Sequence, residues 1–273
     1  MKEKVFLNGK LVLAQEATLP ILSEGLLYGF GLFESMRWHN NRTVYFAAHL
    51  ERIKKSAVLI GMGFPYKINT IKDAIRGTIS ANHLNDAYVR LSLWKSYHRP
   101  DLLIVAKKYS SLPAAKYQYG FSAAVSAYRQ NENSFLSRIK SANRVLYELS
   151  FSEAKKKGFD EAVILNSRGY IAEASRSNIF MVRENTILTP AISCGCLAGI
   201  TRRIIFDLAK KYRIKISEGN FTINDLLEAQ EAFLTNSLMG VMPLTSIEKH
   251  RITKGRCAKI TKFLTVKYGS LLR

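Results

Sequence analysis

The apolar positions of this chain change period several times, and each change marks an element. Val5-Phe6-Leu7 and Leu11-Val12-Leu13 flank Asn8-Gly9, a dipeptide that tolerates positive φ and suits a tight type I′ hairpin. Gly29 and Gly31 break the apolar stretch that starts at Leu26; Phe33 to Trp38 then alternates as a strand, Asn40-Asn41 turns, and Thr43 to Phe46 returns. From Ala48 to Ile60 the spacing becomes helical: Leu50, Ile53, Ala57 and Ile60 recur every three or four residues, leaving Arg52 off the buried stripe, and Gly61 ends the run. The pattern predicts a second helix capped by Asn69, with Ile71, Ile75, Thr78 and Ile79 on one face, and strands over Tyr88 to Trp94 and Leu102 to Ala106.

Ser110 to Ala115 is small, proline-containing and set between strand-rich regions, so it reads as a linker. We place an N-terminal α/β domain at 1–112, the linker at 113–120 and a larger domain at 121–273. Gly120 to Tyr128 alternates as a strand, and the polar loop Asn131 to Ser134 delivers the chain to Lys140. A helix follows with Val145, Leu146, Leu149 and Ala154, ending in the basic turn Lys155-Lys156-Lys157-Gly158. Glu161 to Leu165 and Tyr170 to Ala174 are strands about the turn Asn166 to Gly169; Asn178 to Val182 and Thr186 to Thr189 form another hairpin, closed by Pro190. Ala198 to Arg203 opens a helix with Ile204, Ile205, Leu208 and Tyr212 inward, Thr222 and Asp225 resemble a capping pair, and Ala232 to Thr235 is a buried strand. The fold class is mixed α/β in two domains, without internal repeats.

Composition narrows the function. With 273 residues and 47% hydrophobic content the chain can bury a sizeable core. Forty-one Lys plus Arg against 21 Asp plus Glu leave a net charge of +20. These basic residues are scattered in short groups such as Lys54-Lys55 and Lys210-Lys211, without aromatic interleaving, so a nucleic-acid partner is not expected, whereas anionic small molecules are. Cys194, Cys196 and Cys257 are too few for a disulfide framework and lack a zinc-site pattern; they read as reduced thiols, and no metal is expected. No apolar run is long enough for a signal region or a membrane span, so the expectation is a soluble cytoplasmic protein without a membrane partner.

Four features could converge on one ligand. Lys140 offers an amine before a helix, Glu173 an acid in a strand, Gly199-Ile200-Thr201 a glycine-led helix start with backbone N–H groups and a hydroxyl for an anion, and Arg52 a cation. Each alone has a plain structural explanation: a solvated charge, a wet strand face, helix punctuation.

Together with their surroundings they are specific. Lys140-Ser141-Ala142-Asn143-Arg144, Leu165 to Glu173, Asn178-Ile179-Phe180 and Leu197 to Arg202 resemble the pyridoxal-phosphate class IV aminotransferase family, as do Tyr28 to Glu34 and His49-Leu50-Glu51-Arg52. The resemblance covers nearly the whole chain. It implies a small α/β domain, a larger pseudo-barrel domain, pyridoxal 5′-phosphate between them, and a homodimer. It also implies roles. Lys140 is the amine that joins the cofactor and later moves a proton; Glu173 faces the pyridine nitrogen; Ile200, Thr201 and Arg52 hold the phosphate, with Thr235, Asn236 and Ser237 near the same pocket. For Thr235 and Ser237 a hydroxyl that caps the backbone is the competing reading.

Branched-chain aminotransfer, D-amino-acid aminotransfer and 4-amino-4-deoxychorismate lyase chemistry share this scaffold. Asn143-Arg144 and Leu234 to Pro243 resemble the lyases, which release pyruvate and p-aminobenzoate for folate biosynthesis, so the lyase is the expected activity and the aminotransferases the alternative. Candidates for the substrate pocket are Tyr28, Phe33, Arg37, Arg90 and Arg129, the arginines as carboxylate partners; for Arg37 and Arg90 a structural ion pair competes. A non-enzymatic anion or nucleic-acid binder is the alternative of a different class, suggested by charge alone.

Overall fold

In the computed structural model, which describes residues 2–252 and 259–272, the Asn8-Gly9 hairpin forms as its chemistry requires. Strands β1 (Lys4–Leu7) and β2 (Lys10–Leu13) pair antiparallel across it, with Asn8 and Gly9 at φ 49° and 101°. The short helix α1 (Glu24–Leu27), strands β3 (Gly31–His39) and β4 (Arg42–Thr43), helices α2 (Phe46–Leu59) and α3 (Ile68–Ala81), and strands β5 (Ala87–Trp94) and β6 (Asp101–Lys108) complete a first unit. Its six-stranded antiparallel sheet runs β2-β1-β6-β5-β3-β4. Strand period sorts β3 onto two faces: Leu32, Met36 and Trp38 pack with Leu50, Ile53, Ile71 and Ile75 of the two helices, and Glu34 falls on that same core-facing register. Phe33, Ser35 and Arg37 take the opposite face.

Helix α3 begins at Ile68 rather than at an Asn69 cap; Lys67 occupies the cap position in extended conformation, and Asn69 lies within the first turn. The expected linker is also partly helical. Pro113, fixed at φ −54°, leads into α4 (Ala114–Tyr119), whose two alanines favour the helix and which Gly120 stops at φ 76°. A Cβ on Gly120 would lie 2.9 Å from the Pro243 carbonyl oxygen, so both conformation and space demand glycine there.

The second unit spans 111–138 and 144–273. It holds strand β7 (Phe121–Gln130), helix α5 (Val145–Lys156), strands β8 (Glu161–Asn166), β9 (Ile171–Ala174), β10 (Asn178–Arg183) and β11 (Thr186–Pro190), and helix α6 (Ile200–Lys211). Strand β12 (Ile216–Gly219), helix α7 (Ile223–Leu227), strands β13 (Glu231–Asn236), β14 (Gly240–Ile247) and β15 (His250–Arg251), and helix α8 (Lys259–Ser270) follow. Among the described residues its sheet runs β12-β11-β10-β13-β14-β7-β8-β9 and curls as a half-barrel. The pairs β7–β8, β7–β14 and β11–β12 are parallel and the others antiparallel, so this is a mixed sheet. Parallel neighbours need a crossover, and α5 supplies it between β7 and β8. Its core joins Val163, Ile179, Met181, Leu234, Met242 and Leu244, and Phe180 stacks on Phe233 at 4.8 Å. Thr222 and Asp225 form the expected capping box on α7. Cys194 and Cys196 are free and buried, and burial together with Glu173 pushes the Cys196 thiol up to about 12; Cys257 lies outside the described residues.

Candidate active site

Residues 139–143 belong to the first unit, and with them Lys140. Ile139 is buried in the apolar core, the Lys140 carbonyl accepts the Phe33 N–H at 3.0 Å, and the Ala142 N–H donates to Gly31 O at 2.8 Å. This short bridge to β3 fixes the backbone on both sides of the lysine. Asn143 closes the segment by donating from Nδ2 to Gly29 O at 2.8 Å. The Lys140 ammonium nitrogen lies 4.6 Å from the centroid of the Phe33 ring, and the Arg90 guanidinium lies 4.0 Å from the same centroid. Register explains the meeting: Arg90 pairs with Ser35 on β3 and therefore shares the face of Phe33.

On the other face of β3 stands a buried polar cluster. Glu34, 1% exposed, accepts from Arg52 Nε at 2.7 Å and Nη2 at 2.6 Å, and its Oε2 also meets His49 Nδ1 at 2.7 Å. His49 and Arg52 are three apart on α2 and so project from one side of it. Burial alone would raise the Glu34 carboxyl; the Arg52 charge and hydrogen bonds outweigh it and hold the group at about 2. Burial lowers the His49 pKa against the pull of Glu34, so the imidazole is neutral and Arg52 supplies the positive charge. Its Nδ1 then carries the proton donated to Glu34, and Nε2 is a buried lone pair without a partner among the described residues.

The second unit carries an acid and an anion receptor. Glu173 on β9 is 7% exposed and surrounded by donors: Tyr147 OH at 3.0 Å on Oε1, and Leu197 N at 3.1 Å and Asn178 Nδ2 at 3.4 Å on Oε2. Burial first and the Glu173 charge second raise the Tyr147 phenol, which stays protonated as a donor. Arg144 stacks over the Tyr147 ring at 4.1 Å and donates to Ser175 O at 2.6 Å. Helix α6 starts at Ile200 with no side chain capping it. The hydroxyls of Thr201 and Thr235 are buried with no partner among the described residues, a costly arrangement for a protein to keep without a ligand. Thr235 sits opposite Asn178 on the β10–β13 ladder, and the Asn178 carboxamide in turn packs against Gly199. Uncapped N–H groups, two waiting hydroxyls and a glycine fit the phosphate of pyridoxal 5′-phosphate.

Arg37 binds Asp86 through Nε at 3.1 Å and Nη2 at 2.6 Å and stacks on Tyr109 at 4.3 Å, the ion pair weighed against a substrate role. Tyr28 is exposed at the end of α1, and Arg129 is exposed near the end of β7. Asn236 turns the chain, its Oδ1 accepting from Leu238 N and Met239 N, while Ser237 is half-buried beside it. Reading the sequence missed Glu34, His49 and Tyr147 as site residues. The signals were present: a charged residue on the buried period of a strand, and polar pairs three apart on helices, His49 with Arg52 and Arg144 with Tyr147.

The family model described as Amino-transferase class IV matches residues 31–247. The branched-chain-amino-acid aminotransferase of Pseudomonas aeruginosa is 31% identical over 284 residues, covering 98% of this chain and 92% of that protein. The crystal structure of the Escherichia coli branched-chain amino acid aminotransferase superposes with a TM-score of 0.92 at 26% identity, over 100% of this chain and 95% of the other. The branched-chain amino acid aminotransferase from Thermobaculum terrenum, solved in its PLP-containing holo-form, gives a TM-score of 0.86 at 25% identity, over 99% of this chain and 94% of the other.

Proposed function

Because this chain belongs to the class IV aminotransferase family and is a pyridoxal 5′-phosphate enzyme, we propose that it moves the amino group between a branched-chain amino acid and a 2-oxo acid. The observation that carries this reading is the near full-length likeness to branched-chain aminotransferases in both sequence and structure. It replaces the lyase as the first reading, because the stretches that suggested the lyase have framework work to do. Asn143 ties down Gly29, Arg144 ties Tyr147 to Ser175, and Asn236 caps the turn before β14.

When bound, the cofactor supplies an aldehyde for the substrate amine and a ring that accepts electron density from the adjacent carbon. The protein's part is assigned residue by residue. Lys140 would provide the amine that holds the cofactor, and its Nζ would move the proton at the substrate carbon bearing nitrogen. Arg90, held against Phe33 beside that amine, receives the substrate carboxylate. Glu173, held by Tyr147, Leu197 N and Asn178, would pair with the ring nitrogen. Ile200 N, Thr201 and Thr235 would take the phosphate, and the family resemblance alone assigns Arg52 as its cation. We extend the proposal to a homodimer, for which the exposed Ile21, Leu22, Leu26 and Leu27 offer apolar area.

The test pairs two incubations. With L-leucine and 2-oxoglutarate the enzyme makes glutamate; with 4-amino-4-deoxychorismate it makes no p-aminobenzoate. The lyase remains the second reading, supported by Asn143-Arg144 and residues 234–243, and p-aminobenzoate without glutamate would establish it in place of the first. Borohydride reduction of the holoenzyme followed by peptide mapping places the label on Lys140; a label elsewhere overturns that assignment.

A further inference from the structure

Glu173 and the start of α6 are assigned to opposite ends of one cofactor, and a single side chain of the second unit is bonded to the supports of both. Asn178 opens β10 and is 6% exposed. Its Nδ2 donates to Leu197 O at 2.9 Å and to Glu173 Oε2 at 3.4 Å, so both amide hydrogens are spent. A backbone carbonyl only accepts, so the contact with Leu197 O also fixes which way round the carboxamide stands. Leu197 N donates to the same Glu173 Oε2 at 3.1 Å, and the three bonds close a small ring in which the acid, residue 197 and the carboxamide each hold the other two. Beyond Leu197 the chain reaches Gly199, the cap of α6, where a Cβ would lie 2.0 Å from Asn178 Oδ1; the missing side chain is what lets the carboxamide sit against the helix entry. Displacing Glu173 therefore drags residue 197, and with it the helix start whose uncapped N–H groups and buried Thr201 hydroxyl suit an anion. Tyr147 is a donor to the same acid on Oε1, but its other partners are Gln130 and Arg144, so it holds the acid without holding the helix entry.

We propose that Asn178 is a positioning residue for both ends of the cofactor: it keeps the acid that meets the ring nitrogen and the helix start that meets the phosphate at one fixed separation, so that neither shifts without the other. This rests on the readings of Glu173 as the partner of the ring nitrogen and of Ile200 and Thr201 as phosphate ligands. A donor that served Glu173 alone would affect only the ring-nitrogen end, whereas a link affects both.

The measurement is a pair of selectivities, from calorimetric titration of the full-length apoenzyme with three aldehydes: pyridoxal 5′-phosphate, pyridoxal, and the deaza analogue of the first in which C–H replaces the ring nitrogen. The dissociation constant of pyridoxal divided by that of pyridoxal 5′-phosphate reports the phosphate end; that of the deaza analogue divided by the same constant reports the ring-nitrogen end. Attachment to the anchoring amine is common to all three ligands and drops out of both ratios, as does a general loss of structure. We expect Thr201→Val to lower the phosphate ratio alone. Glu173→Gln, which keeps an acceptor for Leu197 and Asn178, and Tyr147→Phe lower the ring-nitrogen ratio alone. Asn178→Ala, at a residue assigned to neither group, lowers both ratios about tenfold, the lower end of what loss of an outer partner costs at metal sites. Asn178→Ser, usable if the alanine variant fails to fold, lowers both as well. Either ratio unchanged in the Asn178 variant, or both lowered in Tyr147→Phe, overturns the inference while leaving the two ligand assignments in place. A ring-nitrogen ratio unmoved by Glu173→Gln, or a phosphate ratio unmoved by Thr201→Val, overturns that assignment and this inference with it.

Discussion

Gly199 is the position where the phosphate-binding reading makes its sharpest demand on packing. Its φ of −67° and ψ of 142° are open to any residue, so a substitution there pays nothing in backbone strain. Space is the obstacle. A Cβ would lie 2.0 Å from Asn178 Oδ1, more than an ångström inside ordinary contact, with Arg202 Cβ at 3.3 Å on another side. In Gly199→Ala the Asn178 carboxamide must retreat, giving up its bonds to Leu197 O at 2.9 Å and to Glu173 at 3.4 Å. Overpacking costs about 1–3 kcal/mol, each of the two lost hydrogen bonds about 1 kcal/mol, and alanine for glycine at the cap about 0.5–1 kcal/mol, so we expect about 3.5–6 kcal/mol in all. For a chain of this size that lowers the melting temperature by about 7–24 °C. The assay is thermal unfolding of the apoenzyme for Gly199→Ala, Asn178→Ala and the double variant. Removing the carboxamide removes the clash, so the double variant should cost less than the sum of the singles by about 1–2 kcal/mol. Additivity within about 0.5 kcal/mol would show that Asn178 is not what excludes a side chain at 199.

The two buried acids respond to different perturbations, one to pH and one to loss of a donor. Glu34 has a folded pKa of about 2 against an ordinary 4.5, so its contribution, about 3 kcal/mol as an order of magnitude, is present above about pH 4.5 and disappears as pH falls towards 2. Denaturation midpoints of the wild type should therefore fall more steeply than those of Glu34→Gln across that window, and parallel curves would refute the pairing. In Tyr147→Phe the ring still stacks under Arg144 but the donor to Glu173 Oε1 is gone, as is the acceptor for Gln130 Nε2. A hydrogen bond to a charged group is worth about 1.5–3 kcal/mol, so the variant should melt about 3–12 °C lower; a shift under about 1 °C would mean that Glu173 is satisfied without the phenol.

Periodicity carried the elements and failed where the cause was long-range. The alternation of β3 and the three-four spacing of α2 and α3 are local consequences of burial, and both appear in the sequence. Lys140, Glu173 and Gly199-Ile200-Thr201 were likewise legible, each beside a turn or helix start that the sequence marks. The membership of residues 139–143 was not: Ile139 reads as one apolar residue in a polar loop, and the bonds of its neighbours Lys140 and Ala142 to Phe33 and Gly31, more than a hundred positions earlier, show which unit takes the segment. Parallel pairing of β7 with β8 and β14 escaped for the same reason, since hydrogen-bond direction leaves no local trace. Glu34 was hidden differently. In a strand read by alternation a charged residue counts as a break in the apolar face, and the helix that neutralises it starts twelve positions later.

Asn143-Arg144 shows how a motif can be informative about lineage and yet stand back from substrate. The pair immediately follows the lysine, which makes it look like a reporter of the reaction. Its bonds run instead to Gly29 O, Ser141 Oγ and Ser175 O, and its ring contact is with Tyr147. These partners hold the backbone that carries Lys140 and the turn that follows Glu173, requirements that every reaction on this scaffold shares. On the proposed reading, in which Arg90 receives the substrate carboxylate, discrimination between substrates falls to the face of β3 and β5 where Phe33 and Arg90 stand. Exchanging Asn143 or Arg144 should therefore lower all activities together, whereas exchanging Arg90 should change the ratio between one amino acid and another.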